Sequence, residues 1–380
     1  MVSQRLGFSV PNSEPNYKAL YIHIPFCKSR CFYCDFNTEA VEFSDQRIDA
    51  HVESLIESLE LASEKGQLSE IQTVYIGGGT PSYIGSLRLS MLFEALANNL
   101  DVSQLSEFTV EVNPDSVDGN LLELLNGSAV NRVSLGVQSF DDAELYAIGR
   151  AHNSATAQAA LQSLLSVVGN VSVDMICGLP GQSEQSFLRG LASLLDYDVS
   201  HISVYPLSVE DGTPLATAVH AGKLSVADDD EQAEMLQAAR DLLTARGFTH
   251  YEIASYAKPG FESKHNTAYW TALPYLGLGR GAVGMAYQGG ERLRYDEQGV
   301  IERLGIREQV AEDLMLRLRL FEGISESSLT AAAQVLPEAV KCLDSLVEQH
   351  LLEHSLGYYR LSASTWLLAN QAFARVLALA

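Results

Sequence analysis

The chain has 380 residues, with 48 acidic and 25 basic side chains and a net charge of −23. Such a balance, with no long basic run, argues against a nucleic-acid partner held through its phosphates. No window approaches the eighteen or so uninterrupted apolar residues of a membrane span, and Met1–Gly7 has no apolar core of the secretion-signal kind. A cytoplasmic protein with one large and one smaller domain is expected. Transient association with a membrane surface stays open.

In chain order, short β-rich runs alternate with longer amphipathic stretches. Strands are predicted at 19–24, 73–76, 107–112, 132–136, 171–176 and 201–205, and helices at 44–61, 86–100, 118–125, 141–148, 155–168 and 183–195. Over 44–61, Ile48, Val52, Leu55, Ile56 and Leu59 recur at the spacing of one helical face. Strands that alternate with helices imply right-handed crossovers and a parallel sheet. Periodicity leaves open whether that sheet is doubly wound or curls into a partial barrel. Either form puts ligands at the C-terminal ends of the strands.

An acidic helix is predicted at 228–247, followed by an aromatic- and glycine-rich stretch, 251–290, that reads as a lid or an appended sheet. A polar connection at 298–305 marks a boundary between residues 1–300, with the barrel-like part at about 17–230, and residues 301–380. The C-terminal part predicts helices at 307–320, 326–334, 337–349 and 364–377 around a short strand at 357–361. Helices with a small hairpin suit a winged-helix shape, but the acidic surplus there argues against DNA reading.

The most informative motif follows the first strand: Cys27-Lys28-Ser29-Arg30-Cys31-Phe32-Tyr33-Cys34. Thiolates at this spacing converge on one iron–sulfur cube and leave one of its four irons without a protein ligand. A structural zinc site wants a fourth ligand and paired C-x-x-C spacings, whereas Cys177 and Cys342 stand far away and alone. Five cysteines in the whole chain are too sparse for a disulfide framework and fit a reducing compartment. Cys177 and Cys342 read as packing residues. Two further motifs lie at the next strand ends, Gly77-Gly78-Gly79-Thr80-Pro81 and Glu111-Val112-Asn113-Pro114.

Together, Tyr21-Ile22-His23-Ile24-Pro25-Phe26, the cysteine loop and Val74-Tyr75-Ile76-Gly77-Gly78-Gly79 resemble the radical S-adenosylmethionine superfamily. The resemblance implies a six-stranded partial barrel with a smaller, mostly helical C-terminal domain. It implies a 4Fe–4S cluster on Cys27, Cys31 and Cys34, its open iron chelated by S-adenosylmethionine. Glu111, Gln138 in Gly136-Val137-Gln138-Ser139, Arg150 in Gly149-Arg150-Ala151-His152, and Asp174 in Val173-Asp174-Met175 match the branch that contains coproporphyrinogen dehydrogenase. With Tyr21, Gly78, Gly79 and Thr80 they are expected to surround the cofactor. Read without the resemblance, each is a helix cap or a local ion pair.

Within that branch the chain is similar to the HemW-type haem chaperones. Cys34-Asp35-Phe36 has no fourth cysteine, only a short arm precedes Cys27, and His265-Asn266-Thr267-Ala268-Tyr269-Trp270 matches their HNxxYW signature. The resemblance implies haem bound near His265, Asn266, Tyr269 and Trp270, acceptor haemoproteins, and an electron donor such as a flavodoxin or ferredoxin. Imidazole can ligate haem iron and flat rings can pack on the macrocycle. Read from the residues alone, His265 is a hydrogen-bonded surface or cleft histidine and Trp270 a core residue. Val283 stands where relatives often carry histidine, and His23 and His152 are secondary candidates for haem or proton handling. The rival activity is oxygen-independent coproporphyrinogen III dehydrogenation, whose tetracarboxylate substrate would want many cations near the strand ends. A cluster used only as an oxygen or iron sensor would need no nucleotide site.

Overall fold

The computed structural model describes residues 16–380, so Met1–Gly7 lies outside the described residues. The six expected strands form in order as β1 (Ala19–Ile24), β2 (Thr73–Gly78), β3 (Glu107–Val112), β4 (Arg132–Gln138), β5 (Val171–Cys177) and β6 (His201–Pro206). Each is parallel to the next. Helices α1 (Gln46–Glu64), α2 (Ser86–Asn99), α3 (Gly119–Asn126), α4 (Asp142–Ala147), α5 (Ser154–Leu165) and α6 (Glu184–Leu194) lie between them. Asp45, Asp118, Asp141, Asn153 and Ser183 accept backbone N–H bonds at the starts of α1, α3, α4, α5 and α6, which fixes where each connection turns into helix. Leu55, Leu59, Leu89, Leu92, Leu161 and Leu191 are buried against the strands.

The parallel array is open. Beyond β6 comes β8 (Ser255–Ala257), antiparallel to it and paired in turn with β7 (Thr249–Glu252). The free edge of β1 is taken by β9 (Tyr275–Leu278), which runs parallel with Ala19 opposite Tyr275. Antiparallel strands β10 (Gly284–Gln288), β11 (Glu291–Asp296) and β12 (Gly299–Leu304) extend that side. The result is one sheet of order β12-β11-β10-β9-β1-β2-β3-β4-β5-β6-β8-β7. The aromatic, glycine-rich stretch is therefore an appended sheet. The run read as a polar connection is strand β12, exposed along most of its length; an edge strand that buries neither face carries no alternating signal.

Between the outer strands lie α7 (Pro214–His220), α8 (Asp229–Ala245) and α9 (Lys264–Trp270), and α9 carries the HNxxYW residues. Helices α10 (Ile306–Leu318), α11 (Glu326–Ala332), α12 (Glu338–Glu348) and α13 (Ala369–Leu377) follow. A small antiparallel sheet of Ile324–Ser325, Glu353–Ser355 and Tyr358–Arg360 sits among them, the element order of a winged helix.

Arg292 on β11 ties the sheet to α10. Its guanidinium is buried, donates to Asp313 and Glu312 of α10, and donates to Tyr287 Oη at 2.6 Å. Asp313→Ala leaves the buried guanidinium with Glu312, which Arg294 shares, as its remaining carboxylate partner. The change is expected to cost about 1.5–3 kcal/mol, the range for a hydrogen bond to a charged group, measured as a lower urea midpoint with little change in slope.

Candidate functional site

The cysteine loop leaves β1 at Pro25, and two of its thiols are linked through side chains that follow β2 and β3 and one from the α4–α5 connection. Thr80 Oγ1 donates to Cys27 Sγ at 3.4 Å, and Asn113 Nδ2 donates to Thr80 Oγ1 at 3.0 Å. Arg150 Nη2 donates to Asn113 Oδ1 at 2.9 Å, while Nη1 donates to Cys31 Sγ at 3.4 Å. A continuous relay, Thr80–Asn113–Arg150, thus joins two of the three sulfurs. Cys34 Sγ lies 3.9 Å from Thr38 Oγ1. Burial pushes the Cys27 thiol up to about 11, and the Thr80 hydroxyl opposes that rise.

Among the described residues no His, Cys, Asp and Glu side chains are gathered tightly enough to hold a single metal ion. The three thiols stand instead around one cavity of about 380 Å³. Hydrogen-bond donors such as Thr80 and Arg150 stabilise the thiolates that a cube of several irons requires. The residues fit the cluster. Three thiol donors also leave one iron of such a cube free for a ligand from the cavity.

The glycine run is stitched to the start of this loop. Gly79 N–H donates to the Ile24 carbonyl at 2.7 Å and Thr80 N–H to the Phe26 carbonyl at 2.8 Å. A Cβ on Gly79 would lie 2.7 Å from the Phe26 oxygen and 3.0 Å from Cys27 Sγ; one on Gly78, where φ is +115°, would meet the His23 ring at 2.5 Å. These positions have no room for a side chain. The chain packs against itself here before any ligand is considered.

The same cavity is lined by Gly78, Gly79, Thr80, Glu111, Gln138, Arg150 and Asp174, and by Asn266 from α9. Glu111 accepts from Tyr75 Oη at 2.7 Å and from Gly78 N–H at 3.1 Å. Burial raises its carboxyl to about 7, against the pull of those two bonds. Asp174 is raised by burial and accepts from Ser134 Oγ at 3.1 Å. Gln138 sits at φ +69° on a β-bulge, a left-handed conformation uncommon outside glycine that often marks a working site. Arg150 commits both Nη atoms, to Cys31, Asn113 and the Gly136 carbonyl.

Some lining residues, Tyr75, Ser134, Ser203 and Tyr205, are not singled out in the sequence, while Asn113 stands there only within a strand-end motif and Arg132 only as a cation near the strand ends. They share a signal, since Arg132, Ser134, Gly136 and Gln138 alternate along β4, as Ser203 and Tyr205 do on β6. Alternate positions of a strand share a face, so polar residues at period two inside otherwise apolar strands mark the lumen. Arg132 is 2 % exposed, and its Nε and Nη1 have no partner among the described residues. Buried donors without partners suit a cavity that takes an anionic or hydroxylated ligand.

The remaining expected residues divide differently. Tyr21, Tyr269 and Trp270 line a second cavity of about 540 Å³ on the β9–β11 side, which shares Phe36, Gly78 and Glu111 with the first. Tyr21 Oη bonds His23 Nδ1 at 2.8 Å. His265 faces neither cavity. It is 0 % exposed, with Nδ1 bonded to Thr73 Oγ1 at 2.9 Å and Nε2 to Tyr269 Oη at 2.8 Å. Its ring offers no free lone pair to an iron, and burial lowers it to about 3. Here the imidazole ties α9 to β2. His152 is buried too, bonded through Nε2 to the Val137 carbonyl at 3.1 Å and lowered to about 4 by burial. Cys177 is fully buried and Cys342 lies on α12.

Residues 21–193 match the radical SAM superfamily. Over the whole length, the chain is 34% identical to the heme chaperone HemW of Lactococcus lactis, covering 96% of this chain and 98% of that one. It is 30% identical to the heme chaperone HemW of Escherichia coli, covering 95% and 98%. The solved structure of coproporphyrinogen III oxidase (HemN) from Escherichia coli, described as a radical SAM enzyme, superposes with a TM-score of 0.79. That match covers 98% of this chain and 92% of the other at 19% identity, a likeness of fold. A parallel barrel-like array with a three-cysteine loop on its first strand end defines a radical SAM protein. Within that superfamily the chain belongs to the HemW family.

Two outcomes follow from this geometry. Thr80→Val removes a hydrogen bond to a cluster sulfur, so the reduction potential of the reconstituted cluster is expected to become more negative, read by an EPR-monitored redox titration. His265 contributes full stability above its unfolded pKa, near 6.5, because it is neutral in both states there. As the pH falls from about 6.5 towards 3 the unfolded chain takes up a proton that the folded one refuses, and stability declines by about 1.4 kcal/mol per pH unit. His265→Gln is expected to remove one proton from that slope, measured by urea unfolding across the acid range.

Proposed function

We propose that this protein is a haem chaperone that carries a 4Fe–4S cluster and S-adenosylmethionine and delivers bound haem to acceptor haemoproteins. The observation that carries the reading is full-length relatedness to proteins named heme chaperone HemW, which extends across the HNxxYW segment. In this reading Cys27, Cys31 and Cys34 hold the cluster, and Gly78, Gly79, Thr80, Glu111, Gln138, Arg150 and Asp174 surround S-adenosylmethionine. On reduction that pair would supply a deoxyadenosyl radical. The chain's own part is to orient the nucleotide: Glu111 and Asp174 are acceptors for hydroxyls, and Gly78 and Gly79 present bare backbone to the cavity. Asn266 belongs with this site, and Tyr21, Tyr269 and Trp270 with the haem region.

Residues 301–380 serve as a separate domain whose first helix, α10, supplies Glu312 and Leu316 to the second cavity. The protein works in the cytoplasm, takes electrons from a flavodoxin- or ferredoxin-like donor, and meets membranes at most at their surface. Among the described residues no helix is long and apolar enough to cross one. The dehydrogenase alternative is disfavoured by the lumen's charge. Arg30, Arg132 and Arg150 are its basic side chains, Asp35, Glu111, Asp174 and Glu210 face the same space, and Arg150 is already committed to Cys31 and Asn113.

The test uses anaerobically reconstituted protein. Haem bound at one per chain, with no decarboxylation of coproporphyrinogen III in the presence of reductant and S-adenosylmethionine, is the expected result; several turnovers of decarboxylation would overturn it. Cys31→Ala is expected to lose the cluster's iron and sulfide while keeping haem affinity within about twofold, measured by iron analysis and absorption titration.

A further inference from the structure

The second cavity contains a donor atom to which neither the signature motif nor any relative's name points. It lies against one face of the paired strands β1, β9, β10 and β11, and its walls are aromatic: Tyr21, Phe36, Tyr269, Trp270 and Tyr275. At about 540 Å³ it falls in the range of sites that enclose a drug-sized ligand. Flat rings on several sides suit a flat, largely apolar ligand better than a sugar or a peptide.

The histidines near it are spent. His265 has both ring nitrogens bonded inside the protein. His23 lines the cavity, but its Nε2 lies 3.0 Å from the Asn37 carbonyl, which can only accept. Nε2 must therefore carry the proton, and the Nδ1 lone pair receives Tyr21 Oη–H at 2.8 Å. The Tyr21 hydroxyl is thus engaged with His23 and that of Tyr269 with His265, and burial raises both phenols far from ionisation. The Tyr275 phenol is raised by burial and faces Arg294, Glu111 is bonded to Tyr75 and Gly78, and Glu312 is paired with Arg292 and Arg294, which leaves Met285 on β10. It lines the cavity opposite Tyr275 on β9 and Arg294 on β11, so its side chain shares their face of the sheet. A thioether needs no deprotonation to bind iron, and it is a soft donor.

We propose that this cavity is the haem pocket and that Met285 Sδ, in place of His265, is the axial donor to the iron. The inference rests on the haem-chaperone reading. Methionine ligation raises haem potentials, so the pocket holds ferrous haem more tightly than ferric. A single soft ligand also leaves the haem exchangeable, which a carrier that must release its cargo requires. The guanidiniums of Arg292 and Arg294 at the cavity's end are already neutralised by Glu302, Glu312 and Asp313. Binding therefore relies on the rings and the thioether more than on propionate ion pairs.

The test compares full-length wild type, Met285→Leu and Val283→Trp, all loaded with cluster. Met285→Leu keeps volume and apolarity; Val283 lines the same cavity, and tryptophan there would fill it. Wild type is expected to bind ferrous haem with a thioether signature in magnetic circular dichroism. Met285→Leu should lose that signature and bind ferrous haem at least about tenfold more weakly, a difference of about 1.4 kcal/mol. Val283→Trp should bind little haem while retaining cluster content and urea midpoint. An unchanged spectrum and affinity in Met285→Leu would overturn the ligand assignment, and full binding by Val283→Trp would overturn the pocket; either leaves the chaperone reading standing. Failure of wild type to bind haem in either oxidation state would overturn that reading and this proposal with it.

Discussion

Two backbone hydrogen bonds, from Gly79 to Ile24 and from Thr80 to Phe26, dock the glycine run onto the first residues of the cysteine loop. They require β1 and β2 to be adjacent and parallel, and they require residues 78 and 79 to lack side chains. Once this contact forms, Thr80 Oγ1 comes within reach of Cys27, and Asn113 and Arg150 extend the bond chain to Cys31. The cluster loop is thus positioned by the sheet itself. A loop of eight residues with three thiols would otherwise sample many conformations, at an entropic cost of about 1–2 kcal/mol for each residue fixed.

The same contact separates two spaces. On one side lies the lumen of the parallel strands, with Glu111, Gln138 and Asp174; on the other lies the aromatic cavity against β9–β11. Gly78 and Glu111 border both. Glu111 bonds Gly78 N–H and Tyr75 Oη with a carboxyl raised by burial to about 7. A group held so close to neutral pH changes charge with small changes in its surroundings. With Phe36 and Gly78 it forms a shared wall through which a ligand in either space would influence the other.

Much of this was legible in the sequence, for identifiable reasons. Strands β1 to β6 show as apolar runs because both their faces are covered, and the helices between them carry one apolar stripe each. The cysteine spacing pointed to a cluster because few other chemistries use it. What stayed hidden depends on distant pairing. Nothing local in Tyr275–Leu278 says that it lies parallel to Ala19–Ile22, yet that pairing creates the second cavity. Nor does His265 announce that Thr73, far earlier in the chain, occupies its Nδ1. The polar alternation of Arg132, Ser134, Gly136 and Gln138 could have been read as a lumen face, but helix caps at neighbouring strand ends use the same residue types.

The central claim is that cluster-bound S-adenosylmethionine and haem occupy separate, adjoining spaces. It is tested most directly by titrating haem into cluster-loaded protein with and without saturating S-adenosylmethionine, following haem absorption and the EPR spectrum of the reduced cluster together. Two spaces predict one haem per chain in both titrations, with the cluster spectrum still perturbed by S-adenosylmethionine when haem is bound. Displacement of haem by S-adenosylmethionine, or of S-adenosylmethionine by haem, would mean a single shared site and would contradict the account.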